Sequence, residues 1–527
     1  MNPRVVVNSI YNSAVSYALS GSAIALVGPA NDGTFEPQML TQPKDAYTVF
    51  GGGPLAFWAA WIINTKRIPV LAVRAAADAV SSFGTVTRTA DRGTSVVTVA
   101  GGSATDINAD VRVLVSAGGT VGVSGITLRV STNGGLTYAA AAPLGTATSL
   151  VIPLGEEDLT LNFTAATLVT GEIIGVVASV IAAGTRSTLD STYYPLGTNT
   201  AAASWLTSTY PDDDYEVIVE FPVGGTLGTA GIQYRVSISG ALQTTDWTPN
   251  MALGTALTVV IPGTGGQTIT LGTNGQTIGS GAILRGRLYA PNFNTGSVQS
   301  ALTKLFQNKT DWQLCALCGA MDAGLILAAE AAFAAAFANQ IDGEHAWVGN
   351  ARMPNLDETD AQYFTAMQSA LSAARTCYFG GVGYGDCKLI SATTGYMHKR
   401  PIALPFAAEQ ASVAYDIDIA RTDRAPLPVY LAGPNGAPDC HDEWVMPGPD
   451  DYGFITLCQQ PEGVFVNNPR LFAPAGAMVD MFPHRLAWNQ HTRLARNILR
   501  KLLSVQVFAN KATGTLLPSE ANRIEDG

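Results

Sequence analysis

The chain has 527 residues, and at roughly 150 residues per domain that length exceeds what one hydrophobic core organises. Its 30 Lys and Arg against 41 Asp and Glu leave a net charge of -11, which removes the electrostatic footprint of a nucleic-acid-coating protein, so no direct nucleic-acid partner is expected. Only 13% of the residues are charged and 54 are glycine, a composition that excludes a disordered chain and fits a β-rich assembly protein with much of its surface against other chains.

The first twenty residues are broken by Asn2, Asn8, Asn12 and Ser13, so no secretory leader is read there and folding in a cytosol is expected. Within this N-terminal arm (1–20), Val5, Val6 and Val7 are β-branched and adjoin the polar Asn8, a pattern suited to pairing with another subunit's strand edge. A strand over Ala23 to Val27, an apolar helix over Leu55 to Ile63 and a strand over Pro69 to Arg74 open an α/β body (21–80).

From there to about residue 292 the texture changes to Gly, Thr, Val and Ser with period-2 alternation, as in Val111, Val113, Val115 and then Ile126, Leu128, Val130. This all-β stretch repeats itself. The run Gly118-Gly119-Thr120-x-Gly122-x-x-Gly125-Ile126-x-x-Arg129-Val130-Ser131 returns as Gly224-Gly225-Thr226-x-Gly228-x-x-Gly231-Ile232-x-x-Arg235-Val236-Ser237, an offset of roughly 106 positions. Leu144 to Ala147 with Val151 to Pro153 likewise returns as Leu253 to Ala256 with Val260 to Pro262. The fold expected is therefore an α/β (α+β) body carrying an inserted all-β region of two tandem β-sandwich-like modules, 81–185 and 186–292, the second including a linker near 184–210. Such modules are expected to project outward and to be removable without loss of the body.

After Ser297 the helical texture resumes, and residues 293–510 are assigned to the same body as 21–80, followed by a C-terminal arm (511–527). Helices are expected at Val298 to Asn308, Met321 to Asn339, Thr359 to Arg375 and Pro483 to Val507, and strands at Trp312 to Leu317 and Pro428 to Leu431. The alanine-rich window Ala323 to Ala338 carries Glu330 at its centre and reads as a packed helix, with no membrane insertion expected.

No constellation carries enzyme chemistry. Six cysteines are too few for a disulfide scaffold, and Cys315-x-x-Cys318 lacks the further ligands a zinc site needs, so it reads as a buried strand. Cys440-His441-Asp442 reads as a surface loop, and His345, His398, His484 and His491 as isolated surface or interface residues. Glu156-Glu157-Asp158 and Asp212-Asp213-Asp214 adjoin turns and read as solvated loops, the second with room for a loosely held Ca²⁺. Gly380 to Gly385 lacks both nucleotide-loop spacings. No catalytic residue, resident metal or cofactor is expected.

The last helix differs from the rest of the chain. Met481 to Ser519 contains no Asp or Glu, while Arg493, Arg496, Arg500 and Lys501 make the helix basic; Arg493, Arg496 and Arg500 gather on one side while Leu494, Ile498, Leu502 and Val505 lie on the other.

Several segments resemble one family. Ser22 to Gly28, the turn from Gly33 to Pro37, Leu40-Thr41 with Asp45 and Ala46, Phe50-Gly51, the helix across Leu55 to Ile63 and the strand Val70 to Arg74 resemble the opening of contractile phage tail sheath proteins in order and spacing. Asp311-Trp312, an Ala/Asp-rich strand from Ser412 to Asp423, Gly463-Val464 and the long final helix are similar to the body of the same family. The resemblance implies a virion structural protein of a phage tail or related contractile injection system, assembled in the host cytoplasm. It implies hexameric rings stacked helically around an inner tail tube, baseplate and tail terminator proteins as partners, and contraction that drives the tube through the host envelope for genome ejection. Arg493, Arg496, Arg500 and Lys501 then face the tube. The rival readings are a surface glycan-binding adhesin or S-layer-like protein built on the tandem sandwiches, and a tail-associated glycosidase.

Overall fold

The computed structural model describes residues 23–503 apart from 104–108, 190–200, 241–245, 339–344, 432–446 and stretches of four residues or fewer. Val5, Val6 and Val7, the Cys440-His441-Asp442 run and both terminal arms lie outside the described residues.

The body is built on one six-stranded sheet to which both ends of the body sequence contribute. Its first part supplies β1 (Ala23–Gly28), β2 (Gln38–Leu40), α1 (Pro43–Phe50), α2 (Pro54–Lys66) and β3 (Val70–Arg74). Its second part supplies α3 (Thr295–Gln307), β4 (Trp312–Met321), α4 (Ala323–Ala338), β5 (Ala346–Ala351), α5 (Asp360–Leu371) and β6 (Gly380–Gly383). The strand order is β2-β3-β1-β4-β5-β6, parallel except for β2. β1 runs between β3 and β4, with Ala25 beside Leu71 on one side and Cys315 on the other.

Every residue of β1 is buried, as expected of a parallel strand covered on both faces. Ile24 and Leu26 enter a core with the buried run Leu55 to Ile63 of α2, whereas Ala23, Ala25 and Val27 enter a second core with Val298 and Leu302 of α3 and Phe333 of α4. The same period of two separates Cys315 from Cys318, three positions on, into opposite cores. Both thiols are pushed well up by burial, so this pair is strand packing, as read from its neighbours. β6 is glycine-rich around Val382 because neighbours approach its backbone closely: a Cβ on Gly380 would sit 1.9 Å from Cε2 of Trp347. Helices α3 and α5 begin at reciprocal caps, Asn294 with Ser297 and Thr359 with Gln362.

A hairpin of β7 (Asp386–Ile390) and β8 (Met397–Pro401) follows, then α6 (Ala403–Ala411), which packs on α2, and finally α7 (Phe482–Leu503). The expected Ala/Asp-rich strand from Ser412 to Asp423 is absent among the described residues. Ser412 instead closes α6 by donating its hydroxyl to the Glu409 carbonyl, and Asp418 accepts from Ala420 N in a turn.

Between β3 and α3 lie two β units, each with its own core. Strands within 79–182 enclose Val111, Val113, Val115, Leu159 and Ile174, and strands within 185–289 enclose Val217, Val219, Phe221, Val259 and Leu284. Their repeated sequence is repeated geometry. Gly122 and Gly228 have φ of 88° and 85°, and Gly125 and Gly231 have 120° and 124°, a left-handed backbone that glycine alone adopts freely. The stretch read as a linker contributes strands of its own: Thr185–Arg186 pairs with Ala282–Tyr289, and Ser204–Trp205 pairs with Thr268–Thr270.

Candidate functional site

The feature that organises this molecule is a buried charge junction between the β7–β8 hairpin and the second β unit. Hairpin register places Lys388 directly opposite Lys399, so both ammonium groups leave the same face, as does Asp386 two residues before Lys388. Like charges in that position repel unless they are met by acids. Here the second unit supplies two of them: Lys388 Nζ lies 2.7 Å from Asp246 Oδ2 and Lys399 Nζ lies 3.1 Å from Glu216 Oε2, while the hairpin's own Asp386 Oδ2 lies 3.3 Å from Lys399 Nζ. Arg285 adds a longer contact to Glu216 at 3.7 Å. Burial works against the Lys399 charge, but Asp386 and Glu216 outweigh it and hold its pKa above the usual lysine range. Burial likewise opposes the Glu216 carboxylate, and Lys399 ahead of Arg287 brings it below its usual value.

The opposite face of the hairpin carries His398 and Arg400. Arg400 Nη2 lies 2.6 Å from Asp213 Oδ2 and 3.1 Å from His398 Nδ1, and its Nη1 donates to the Asp214 carbonyl. Its guanidinium sits over the rings of Phe57, at 4.2 Å, and Tyr215, at 5.4 Å. Burial pushes the Asp213 carboxyl up to about 7 against the pull of Arg400, with Asp214 and Asp212 adding like-charge repulsion. Burial, and then Arg400, hold His398 well below the usual histidine value, so its ring is neutral.

This junction sits at the carboxyl ends of β4 and β5, where the sheet order reverses across β1 and where open α/β sheets bind ligands. A cleft of about 340 Å³ remains there, lined by Asp213, Asp214, Arg352, Asn355 and Arg400 among others. The acidic triplet fills the part next to α2. Asp212 lies near the glycine turn before that helix, its Oδ2 only 3.8 Å from where a Cβ on Gly52 would stand. A carboxylate there complements the positive end of α2, a role that an anionic ligand takes in other sheets of this kind.

Asp212-Asp213-Asp214 is therefore not a solvated loop. Each carboxylate already has a protein partner: Asp212 Oδ1 accepts from the Tyr215 hydroxyl at 3.1 Å, Asp213 pairs with Arg400, and Asp214 Oδ1 accepts from Ala290 N at 3.1 Å. The second unit is correspondingly fastened to the body and does not simply project from it. The Glu156-Glu157-Asp158 run does begin a strand at Glu157 with Asp158 exposed. Two histidines expected at the surface are core residues: His398 lies between Phe57 and Tyr215, and His345 stacks on Trp312 at 3.6 Å. His491 is exposed, and His484 lies 3.8 Å from Asp480.

Arg493, Arg496, Arg500 and Lys501 fall on the backbone of α7, and their side chains lie outside the described residues. The described first half of α7 docks firmly. Arg485 stacks on Phe379 at 3.7 Å, and burial brings its pKa down to about 10. Nearby, Glu330 accepts from Trp347 Nε1 at 3.1 Å and from Tyr378 N at 2.7 Å, which accounts for an acid inside an alanine helix. Sequence reasoning missed Lys388, Lys399, Arg400, Glu216 and Asp246. The available signal was the run His398-Lys399-Arg400, three basic types together in an acidic chain.

No family model matches the sequence, and no curated relative does. Among solved structures the chain is similar to a sheath tail protein of Listeria innocua, with 13% identity and a TM-score of 0.36 over 98% of this chain and 88% of that one. It is similar to a sheath tail protein of Desulfitobacterium hafniense, with 9% identity and a TM-score of 0.35 over 92% and 80% of the two chains. It is also similar to the helical sheath of the anti-feeding prophage in its contracted state, with 13% identity and a TM-score of 0.24 over 45% and 70%.

Proposed function

We propose that the chain is a structural subunit of a contractile tail sheath, stacked as hexameric rings around an inner tube and shortening to drive that tube through a host envelope. The observation that carries this reading is the order and spacing of residues 22–74. Those residues form β1, β2 and β3, half of the six-stranded central sheet, and the segments after residue 311 that share the resemblance include β4, laid against β1. A discontinuous body with a large β insertion and low charge suits a subunit that adds through non-closing interfaces to an open helical stack. Work in such an assembly comes from the free-energy difference between two packings of one chain, which needs no catalytic site. On this reading 1–20 and 511–527 are linking arms, 21–80 with 293–510 is the body, and the tandem β-sandwich modules decorate it. The tube meets the Arg493, Arg496, Arg500 and Lys501 face, and baseplate and terminator proteins bound the stack.

Negative-stain microscopy of the purified protein tests the proposal. Tubes or stacked rings of sixfold symmetry are expected, and a protein that stays monomeric at high concentration with and without inner-tube protein would overturn it.

A further inference from the structure

We propose that Lys388 and Asp246 join in an isopeptide cross-link that fixes the second β unit covalently to the body. Lys388 Nζ lies 2.7 Å from Asp246 Oδ2, with side chains 3% and 0% exposed, and the residues are 142 positions apart in the chain. An ionised pair so enclosed must offset the desolvation of both groups. Passing one proton from the ammonium to the carboxylate removes both charges and leaves an amine beside a carboxylic acid, the two forms that condense.

The chemistry balances without any further reagent. The Nζ lone pair attacks Cγ of Asp246 and forms the C–N bond. The acid's hydroxyl then leaves with one amine proton as water, and the other amine hydrogen remains on the new amide. Asp386 stands two residues before Lys388 on the same strand face and is 1% exposed, a second buried carboxylate on that face, where it meets Lys399 at 3.3 Å. The flanking pairs, Lys399 with Glu216 and Arg400 with Asp213, hold the two units in register, so the reacting groups meet in a fixed orientation. A strand of the body and a loop of a separately cored unit would thereby become one covalent piece, which an ion pair alone cannot ensure under mechanical load.

The test is the intact mass of the full-length purified protein under denaturing conditions. The expected mass is one water below that of the sequence, and a protease digest yields a branched peptide containing both residues. Lys388→Arg keeps the charge but has no condensing amine, so it should return the full sequence mass, lose the branched peptide and unfold at lower temperature. Asp246→Ala should return its own full mass in the same way. Wild-type protein that retains the full sequence mass and gives linear peptides for both residues, in fresh and aged samples, overturns the proposal. This outcome is independent of whether the protein forms sheaths.

Discussion

Lys388 faces Lys399 across the β7–β8 hairpin, and the two cations coexist because Asp246 and Glu216, both from the second β unit, meet one each. The hairpin is thus electrostatically complete only when that unit is in place. This relationship governs how the molecule should respond to mutation, truncation and pH.

The Arg400–Asp213 pair is 1% and 6% exposed, so solvent does not screen it. Asp213→Ala should leave the guanidinium buried and uncompensated and cost about 3–5 kcal/mol, while Arg400→Met combined with Asp213→Leu should recover most of that loss. Equilibrium denaturation of the single and double variants reads both values. Equal losses in the two would show that the pair is not coupled.

Removing both β units separates their roles. Deleting 81–292 should yield an insoluble body, because Lys388 and Arg400 lose their acids and Lys399 keeps only Asp386. Deleting only the first unit, 79–182, should be tolerated, since its strand Ala79–Phe83 closes on its own strand Ile173–Ala182. Solubility and circular dichroism of the two truncations decide the matter, and a soluble, folded body from the larger deletion would contradict the junction's importance.

His398 and Asp213 give opposite pH dependences. The folded pKa of His398 lies below its ordinary 6.5, so its contribution is present above pH 6.5 and is lost as pH falls. Asp213, raised from 3.8 to about 7, contributes fully below pH 3.8 and loses that contribution as pH rises through 7. Relative to wild type, His398→Phe should therefore gain stability on acidification from pH 7 to 5, and Asp213→Asn should lose it, each with a slope of at most about 1.4 kcal/mol per pH unit. Thermal melts across that range, compared as differences from wild type, provide the check.

The basic side of α7 is tested in assembly. Arg493→Glu with Arg496→Glu and Arg500→Glu should leave the monomer folded, because the helix start is anchored by Arg485 on Phe379. Sheaths should then form poorly around tubes or appear only contracted and empty. Wild-type sheaths should loosen from tubes at 1 M salt, where the Debye length is about 3 Å. Extended, tube-filled sheaths from the triple variant under the same microscopy would remove this face from the mechanism.

Much of the fold was legible in the residues because it is set locally. Short apolar runs placed β1, β3 and β4, and the expected helices at Val298, Met321, Thr359 and Pro483 each formed within a few residues. Paired glycines announced two units with the same turns, since a left-handed φ is a demand of the backbone at that residue and no distant partner is required. The resemblance led instead to a strand from Ser412, where the described residues after α6 form a turn.

Two acidic runs show where the sequence stops. Glu157-Asp158 and Asp213-Asp214 both stand at or just before a strand and are chemically alike, yet Asp158 is in solvent and Asp213 is buried. What separates them is Arg400, 187 positions away from Asp213 in the chain, brought there by a hairpin whose register no nearby residue announces. Composition and periodicity determined the strands, the helices and the repeat, because each depends on neighbours in sequence. The tertiary structure alone decided which charges are buried, because desolvation and Coulomb pairing depend on distances that only the folded chain sets.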